Sequence, residues 1–502
     1  MNKQILKNIL FNGIGFITNI VIMLMLTPYL VKHLGVIGYG FIPLAAIFTS
    51  YIGIVTESLT ISINQNLTKA YHKKNKQGVK EVYNTSIISV LVIIIISSLL
   101  LIYPIIHLDK IISIPLEIDR DVKILFLMLI GSFLLSLITA VNSVAMYANN
   151  RVDLMQVNNL IRNIFRALFI AFLFNINDKD LVSVGVATLI GNIFSFLYSW
   201  FYKNKLISYM NFSYKFFNKD KVKNIINMGG WLLINQLGFV LFMKVDLLII
   251  NKMLGADQAG YYSIATQFND VLRTFAGIIS GVLGPAILIL YSQNKLNKMI
   301  DMTSIFVKFL SISISIPIVI ICVWSKDILK YWMGDEYIFL SPLIWVLTLP
   351  LIINIGIQPL FSIQVAMNKI KIPALMNVLF GGAGVFLSIG LLNYTDLGLY
   401  SVAISGVTML TIKNAIITPM YTSYILNVNI ITFVKVHIGT LFFSIIAIII
   451  LLFTSTNLIN IDNLHQLIFV LLLSGLLLFL LSFLFYSKPE RDYFLNFIKE
   501  KI

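Results

Sequence analysis

The chain has 502 residues, 58% of them hydrophobic and only 12% charged. A soluble globular protein carries about 25% charged residues, so too little charge is present to solvate such a surface, and the mean hydropathy of +0.90 agrees. The net charge of +15 would suggest nucleic acid in a soluble protein; in a chain this apolar, basic loops instead hold the cytoplasmic side through the positive-inside rule, and nucleic acid is set aside as a partner.

Lys3 and Lys7 precede an apolar run that continues to about Val31 without a small-residue cleavage site. It reads as an uncleaved first helix rather than a signal peptide. A spanning helix needs about 20 apolar residues, and about fourteen candidates follow in order, near 10–31, 39–62, 85–107, 122–147, 154–174, 181–202, 227–251, 260–287, 303–325, 339–365, 373–393, 399–423, 431–454 and 467–486. The fold class expected is an all-α polytopic membrane protein. Cys322, the single cysteine, excludes an intramolecular disulfide, and His33, His72, His107, His437 and His465 show no metal spacing.

With the N-terminus inside, the inner segments hold 22 Lys and Arg and the outer segments 8. That bias places both termini in the cytoplasm. No outer loop exceeds about fifteen residues on the run boundaries above. The longest inner connection, 203–226, is basic and aromatic and reads as a surface-lying connector. The tail 487–502 places Tyr493, Phe494 and Phe497 at helical spacing after Pro489, as expected of a segment resting on the inner leaflet.

Two stretches resemble each other. Leu34-Gly35-Val36-Ile37-Gly38-Tyr39-Gly40 ends the first span and opens the second; Leu254-Gly255-Ala256-Asp257-Gln258-Ala259-Gly260-Tyr261-Tyr262 ends the seventh and opens the eighth. Glycine at such a point allows φ > 0 and ends a helix. Ala148-Asn149-Asn150-Arg151-Val152 before the fifth span matches Ala366-Met367-Asn368-Lys369-Ile370 before the eleventh, with Asn159 and Asn377 at the same offset beyond. Both pairs lie six spans apart, and an even offset preserves orientation. The expectation is a parallel repeat: an N-lobe over 1–202, the connector 203–226, a C-lobe over 227–425, two further helices over 426–486, and the tail. Two such lobes around a central cavity suit alternating access.

These residues, Leu-Gly-turn-Gly-Tyr next to a helix bearing Asp246 and the Ala-x-Asn-Lys/Arg inner turns, resemble the polysaccharide-repeat (Wzx-type) flippases of the multidrug/oligosaccharidyl-lipid/polysaccharide exporter superfamily. The resemblance runs over the whole chain and is strongest at 7–70 and 225–290. It implies a V-shaped pair of six-helix lobes that moves an undecaprenyl-diphosphate-linked oligosaccharide across the bacterial cytoplasmic membrane. It also implies membrane lipids and polysaccharide polymerases or glycosyltransferases as partners. Fourteen spans differ from the twelve common among O-antigen flippases and are closer to the layout of lipid II flippases, so the glycan stays open.

A charge at the bilayer centre costs about 2.5–3.5 kcal/mol on insertion scales and normally faces protein or water. Arg162 and Arg166 lie about 12 and 18 Å into the fifth span at 1.5 Å per residue, on one face that Asn158 extends. Arg273 follows Asp270 by three residues, Lys413 stands beside Asn414, and Asn235 and Asp246 share a face of the seventh span while Lys244 points elsewhere. Glu57 sits in the inner half of the second span. Asn354 and Gln358 fall at i, i+4 below Pro350. One reading is structural, with ion pairs and polar contacts between helices; Asp270 and Arg273 suit mutual neutralisation equally well. The other follows from the resemblance. Arg162, Arg166, Arg273, Lys413 and Lys244 outnumber Glu57, Asp246 and Asp270, and a net cationic lining attracts a lipid diphosphate, which arginine binds in a bidentate fork. Asn158, Asn235, Asn354 and Gln358 would meet sugar hydroxyls. Lys308 and Lys435, near inner helix ends, read as snorkelling.

No Gly-x4-Gly-Lys-Ser/Thr phosphate loop occurs, so neither ATP hydrolysis nor a cofactor is expected. Glu57, Asp246 and Asp270 are the candidates for coupling to H⁺ or Na⁺. A drug or cation exporter of the same superfamily should line its cavity with acids and aromatics. A polysaccharide polymerase or ligase would keep a long extracytoplasmic loop. Neither pattern fits, and the chain is not expected to be an enzyme.

Overall fold

The computed structural model describes residues 3–176, 179–218, 238, 240, 244–281, 283–457, 461–488 and 490–491. Among them every regular element is helical. The chain divides into two compact units, Met1–Gly260 and Tyr261–Ile502.

The first unit contains α1 (Lys3–His72), α2 (Lys76–Ile106), α3 (Asp119–Ala148), α4 (Val152–Ile176), α5 (Leu181–Leu206) and α6 (Val245–Leu254). At 1.5 Å per residue the 70 residues of α1 would run to about 105 Å, far beyond a bilayer. Gly35 breaks it, with φ 71° and ψ 169°, so α1 is two helices joined at the turn that the sequence marks. Gly255 takes φ 105° and ψ 170° at the C-terminus of α6. Both conformations favour glycine for want of a Cβ. A second glycine role was not legible in the sequence. Gly40 and Gly260 meet backbone to backbone: a Cβ on Gly40 would lie 2.9 Å from the Gly260 Cα, and one on Gly260 would lie 2.3 Å from the Val36 carbonyl oxygen.

The second unit receives α7 (Ala256–Gly281), which crosses the boundary, and holds α8 (Leu283–Ser292), α9 (Leu296–Val323), α10 (Leu351–Gly356), α11 (Gln358–Ala366), α12 (Lys371–Tyr394), α13 (Leu399–Ile412), α14 (Thr418–Ile425), α15 (Ile431–Asn457) and α16 (Leu464–Ser482). A π-helix, Lys413–Ile417, joins α13 to α14.

The repeat extends to the backbone of the turns. Asn150 and Asn368 both adopt the left-handed conformation, at φ 55° and 54°. The same two hydrogen bonds close each turn: Asn150 N to Tyr147 O and Arg151 N to Met146 O in one, Asn368 N to Val365 O and Lys369 N to Gln364 O in the other. Lys74 and Asn294, at φ 57° and 55°, form a second equivalent pair. Their matched bonds are Lys74 N to Tyr71 O and Asn75 N to Ala70 O, against Asn294 N to Tyr291 O and Lys295 N to Leu290 O.

Eleven stretches among the described residues are long and apolar enough to cross a membrane. The difference from about fourteen has physical causes. The first two spans fuse into one apolar run, Leu10–Ser50; the seventh lies largely outside the described residues; and α7 is too polar to qualify, bearing Asp257, Asp270 and Arg273. Each unit has a small apolar interior, such as Leu67, Val79, Val144 and Met210 in the first and Met299, Val307, Leu360 and Phe433 in the second. Large side chains such as Leu99, Leu100, Phe386 and Leu472 are exposed, as expected of surfaces facing lipid.

The connector does not float at its start. Ile207 and Met210 are buried, and the Asn84 side chain accepts from Ser213 N at 2.6 Å and donates to Asn211 O at 3.2 Å. These bonds pin the segment leaving α5 onto α2.

Candidate cationic sites in the two units

In the first unit the site begins with α4. Its sequence has neither proline nor glycine, so nothing interrupts the helix after the Asn150 turn. The face toward α5 is locked: Asn158 Oδ1 accepts from Ser195 Oγ at 2.9 Å, and Phe165 stacks on Phe194 with centroids 4.0 Å apart. Gly191 of α5 lets the two helices approach, because a Cβ there would stand 2.6 Å from the Arg162 carbonyl oxygen and 3.3 Å from the Arg166 Cβ. The turn bearing both arginines is thus fixed by its neighbour.

Arg162 and Arg166, together with Asn163, Ser132, Thr49 and Asn192, line a cavity of about 230 Å³. Both arginines are half-buried, and each lies within the other's field. Arg162 Nε reaches Asn163 Oδ1 at 3.5 Å, a marginal hydrogen bond. Arg166 Nε and Ser132 Oγ are fully shielded atoms without a hydrogen-bond partner. No carboxylate pairs with either guanidinium among the described residues. Leaving a buried donor unmet costs about 1–3 kcal/mol, more for a charged group. Water or an anion entering the cavity would remove that penalty.

In the second unit Arg273 and Lys413 lie within each other's field. Lys413 is buried at 6% exposure and opens the π-helix, an element often found at functional sites. Its ammonium donates to Asn377 Oδ1 and sits 5.4 Å from the Phe361 ring centroid. Asp270 is the carboxylate whose field reaches Arg273. Asn354, 4% exposed, donates to Thr411 Oγ1 at 3.0 Å and accepts from Asn414 Nδ2 at 3.1 Å. Gln358 accepts from Ser280 Oγ at 2.7 Å.

The structure therefore joins Arg162 to Arg166 and Arg273 to Lys413. It turns Asn158 and Asn354 toward neighbouring helices. Lys244 and Asp246 fall at the start of α6 and are not among the residues lining the arginine cavity. Asn235 lies outside the described residues, as does the side chain of Glu57. Lys308 has a partner that its snorkelling position does not reveal, Glu490, at 2.8 Å. Sequence reasoning missed Ser132, Thr49 and Asn192, since an isolated hydroxyl or amide in an apolar span carries no signal by itself.

Residues 5–290 match the family described as "Polysaccharide biosynthesis protein", which is more than half of the chain. The chain belongs to this family. It is 28% identical over 436 residues to the "Uncharacterized membrane protein EpsK" of Bacillus subtilis (strain 168), covering 86% of this chain and 85% of that protein. It is 26% identical over 391 residues to the "Putative O-antigen transporter" of Shigella flexneri, covering 74% and 88%. Among solved structures, the lipid II flippase MurJ in an inward closed conformation aligns with a TM-score of 0.66 at 17% identity, over 97% of this chain and all of that one. An inward-facing multidrug resistance MATE family transporter of the MOP superfamily aligns with a TM-score of 0.65 at 14% identity, over 80% and 94%. At those identities the likeness is one of fold alone, and it agrees with a multi-pass membrane protein.

Proposed function

We propose that this polysaccharide biosynthesis transporter flips an undecaprenyl-diphosphate-linked oligosaccharide across the bacterial cytoplasmic membrane, with both termini in the cytoplasm. The observation that carries the reading is Arg166: a guanidinium about 21 Å into its helix by rise, facing a cavity, with its Nε unmet. A diphosphate diester supplies the anionic oxygens that the fork of Arg162 and Arg166 lacks. Arg273 and Lys413 form a second cationic pair that receives the same group in the C-lobe, while the polyprenyl chain stays in lipid. Asn354, bonded to Asn414 next to Lys413, and Gln358 would line the polar path of the sugar. Lys244 extends the cationic set, and Glu57, Asp246 and Asp270 couple the cycle to H⁺ or Na⁺. In this reading the N-lobe covers 1–202 and the C-lobe 227–425. Glycosyltransferases supply the substrate inside, and a polymerase consumes it outside.

The test is flipping of a fluorescent undecaprenyl-diphosphate-linked oligosaccharide in proteoliposomes. Arg166→Ala should slow it roughly 100-fold, the scale of losing charge-assisted bonds worth about 3 kcal/mol. Arg166→Lys, which keeps charge but not the fork, should fall between. Wild-type rates for both variants would remove the diphosphate reading. The MATE-like fold keeps a drug exporter as the competing reading; an overexpressing strain that gains drug resistance would favour it.

A further inference from the structure

A row of amide side chains runs between α1 and α4. Gln4 Nε2 donates to Asn8 Oδ1 at 2.9 Å and to Asp153 Oδ1 at 2.8 Å. Asn8 Nδ2 donates to Asn150 O at 3.1 Å, Gln156 Nε2 to Asn12 Oδ1 at 2.6 Å, and Asn163 Nδ2 to Asn19 Oδ1 at 2.7 Å. Gln4, Asn8, Asn12 and Asn19 stand at i, i+4, i+8 and i+15, on one face of α1. Gly15 occupies the missing step at i+11, where a Cβ would come within 3.2 Å of Gln156 Oε1.

Three features separate this row from ordinary packing between helices. The first is exposure: Asn12, Gln156 and Asn163 are half-buried and Asn19 is exposed. In the second unit the interhelical amides Asn354, Gln364 and Asn414 are 2–4% exposed, while Gln358 and Asn377 are half-buried. The second is depth. Asn19 lies about 24 Å along α1 from Lys3, well inside a membrane, where an exposed amide must face water or a polar ligand rather than lipid. The third is its end point, since Asn163 also lines the arginine cavity. The row also carries no unpaired carboxylate among the described residues. Its one carboxylate, Asp153, is held by Lys7 at 3.1 Å and Arg151 at 2.9 Å.

We propose that this row is the binding track for the glycan portion of the substrate, leading to the arginine cavity. The inference rests on the flippase reading above. An amide, like a sugar hydroxyl, both donates and accepts, so each rung exchanges its amide partner for a hydroxyl or N-acetyl group at little net change in bonding. Binding along such a row is weak and stepwise, as passage requires. From Asn8 to Asn19 it extends about 16 Å, which suits a short oligosaccharide.

The experiment measures binding of two probes to the full chain in lipid nanodiscs: undecaprenyl diphosphate without sugar, and undecaprenyl diphosphate bearing a chitotriose. Wild type should bind the glycosylated probe more tightly. The double variant Asn12→Leu/Gln156→Leu, which keeps side-chain bulk at the rung, should weaken the glycosylated probe about tenfold and leave the sugar-free probe unchanged. Gln156→Ala should move the same way by a smaller factor. Unchanged binding of both probes, or equal loss of both in the two variants, would overturn the track. If wild type binds neither probe, the flippase reading itself falls; if it binds both equally, only the track does.

Discussion

The two units each hold a pair of cations among their helices and surround them differently. In the second, Lys413 is met by Asn377 and the face of Phe361, and Asp270 lends its field to Arg273. In the first, Arg162 and Arg166 face a cavity, the Nε of Arg166 is unmet, and Ser132 across the cavity is unmet as well. The amides differ in exposure rather than in pairing: Asn354, Gln364 and Asn414 in the second unit are 2–4% exposed, whereas Asn12, Gln156, Asn163 and Asn19 between α1 and α4 are partly open. Charge inside a membrane is expensive in either place. Where the protein supplies partners, the charge stabilises packing; where it does not, the fold carries a penalty that a ligand relieves.

That contrast predicts stability changes of opposite sign, and this is the largest effect expected. Arg166→Met removes a charge that has no carboxylate partner among the described residues. Replacing an uncompensated buried charge with an apolar side chain of similar length should raise stability by about 1–4 kcal/mol while transport is lost. Lys413→Met removes the ammonium's hydrogen bond to Asn377 and its contact with the Phe361 ring and should lower stability by about 1–3 kcal/mol. Thermal unfolding of both variants in one detergent decides the matter; shifts of the same sign would mean that the units do not differ in this way.

The next effect sharpens the geometry of the first unit. Gly191→Ala places a Cβ 2.6 Å from a backbone oxygen, a contact that only a shift of α4 against α5 relieves. Overpacking of this kind costs about 1–3 kcal/mol, and moving the turn that carries both arginines should reduce flipping. A Cβ added to Gly131, on α3, would meet nothing within 4 Å, so Gly131→Ala should be neutral or gain up to about 1 kcal/mol from helix propensity. Equal melting temperatures for the two alanine variants would show that the α4–α5 contact does not constrain the site.

Much of the fold could be read from the chain because its signals are local. Apolar length marks the spans, and the repeated glycine and asparagine turns return as Gly35 with Gly255 and Asn150 with Asn368. The site was legible only in its charges. That Arg162 and Arg166 share a face follows from their spacing of four. That Lys413 finds Asn377, 36 residues earlier, depends on how α12 and α13 pack, and no spacing encodes that. Gln4, Asn8 and Asn12 carried a visible period of four. Its meaning became clear only when α4 was found to present amides opposite, since a polar stripe on one helix does not say whether water, lipid headgroup or another helix covers it. Ser132 was missed for a related reason: a serine in an apolar helix usually bonds its own backbone, as Ser136 does to Phe133 O at 2.6 Å, and only the packed structure shows that Ser132 does not.

The smallest effect expected lies in the second unit, at its C-terminal end, and asks whether its partnered charges hold to the edge of the membrane. Glu490 accepts from Lys308 Nζ at 2.8 Å, from Ser487 N at 2.7 Å and from Ser487 Oγ at 2.9 Å. Burial pushes its carboxyl upward, but the Lys308 and Ser487 bonds outweigh that and hold it below the usual carboxylate range. A depressed carboxylate contributes stability that is fully present above its unfolded value of about 4.3 and is lost as pH falls from there through the folded value. Hydrogen exchange at 487–491, corrected for intrinsic rate, should therefore stay slow from pH 7 to about pH 5 and accelerate below that, by at most about 1 kcal/mol for a pair this near the surface. Glu490→Gln should exchange at the faster rate throughout and lose the pH dependence. If the Gln variant exchanges like wild type at pH 7, residues 487–491 are held by the packing of Tyr486 beside Phe309 and the ion pair contributes nothing, which would confine the second unit's charge pairing to its interior.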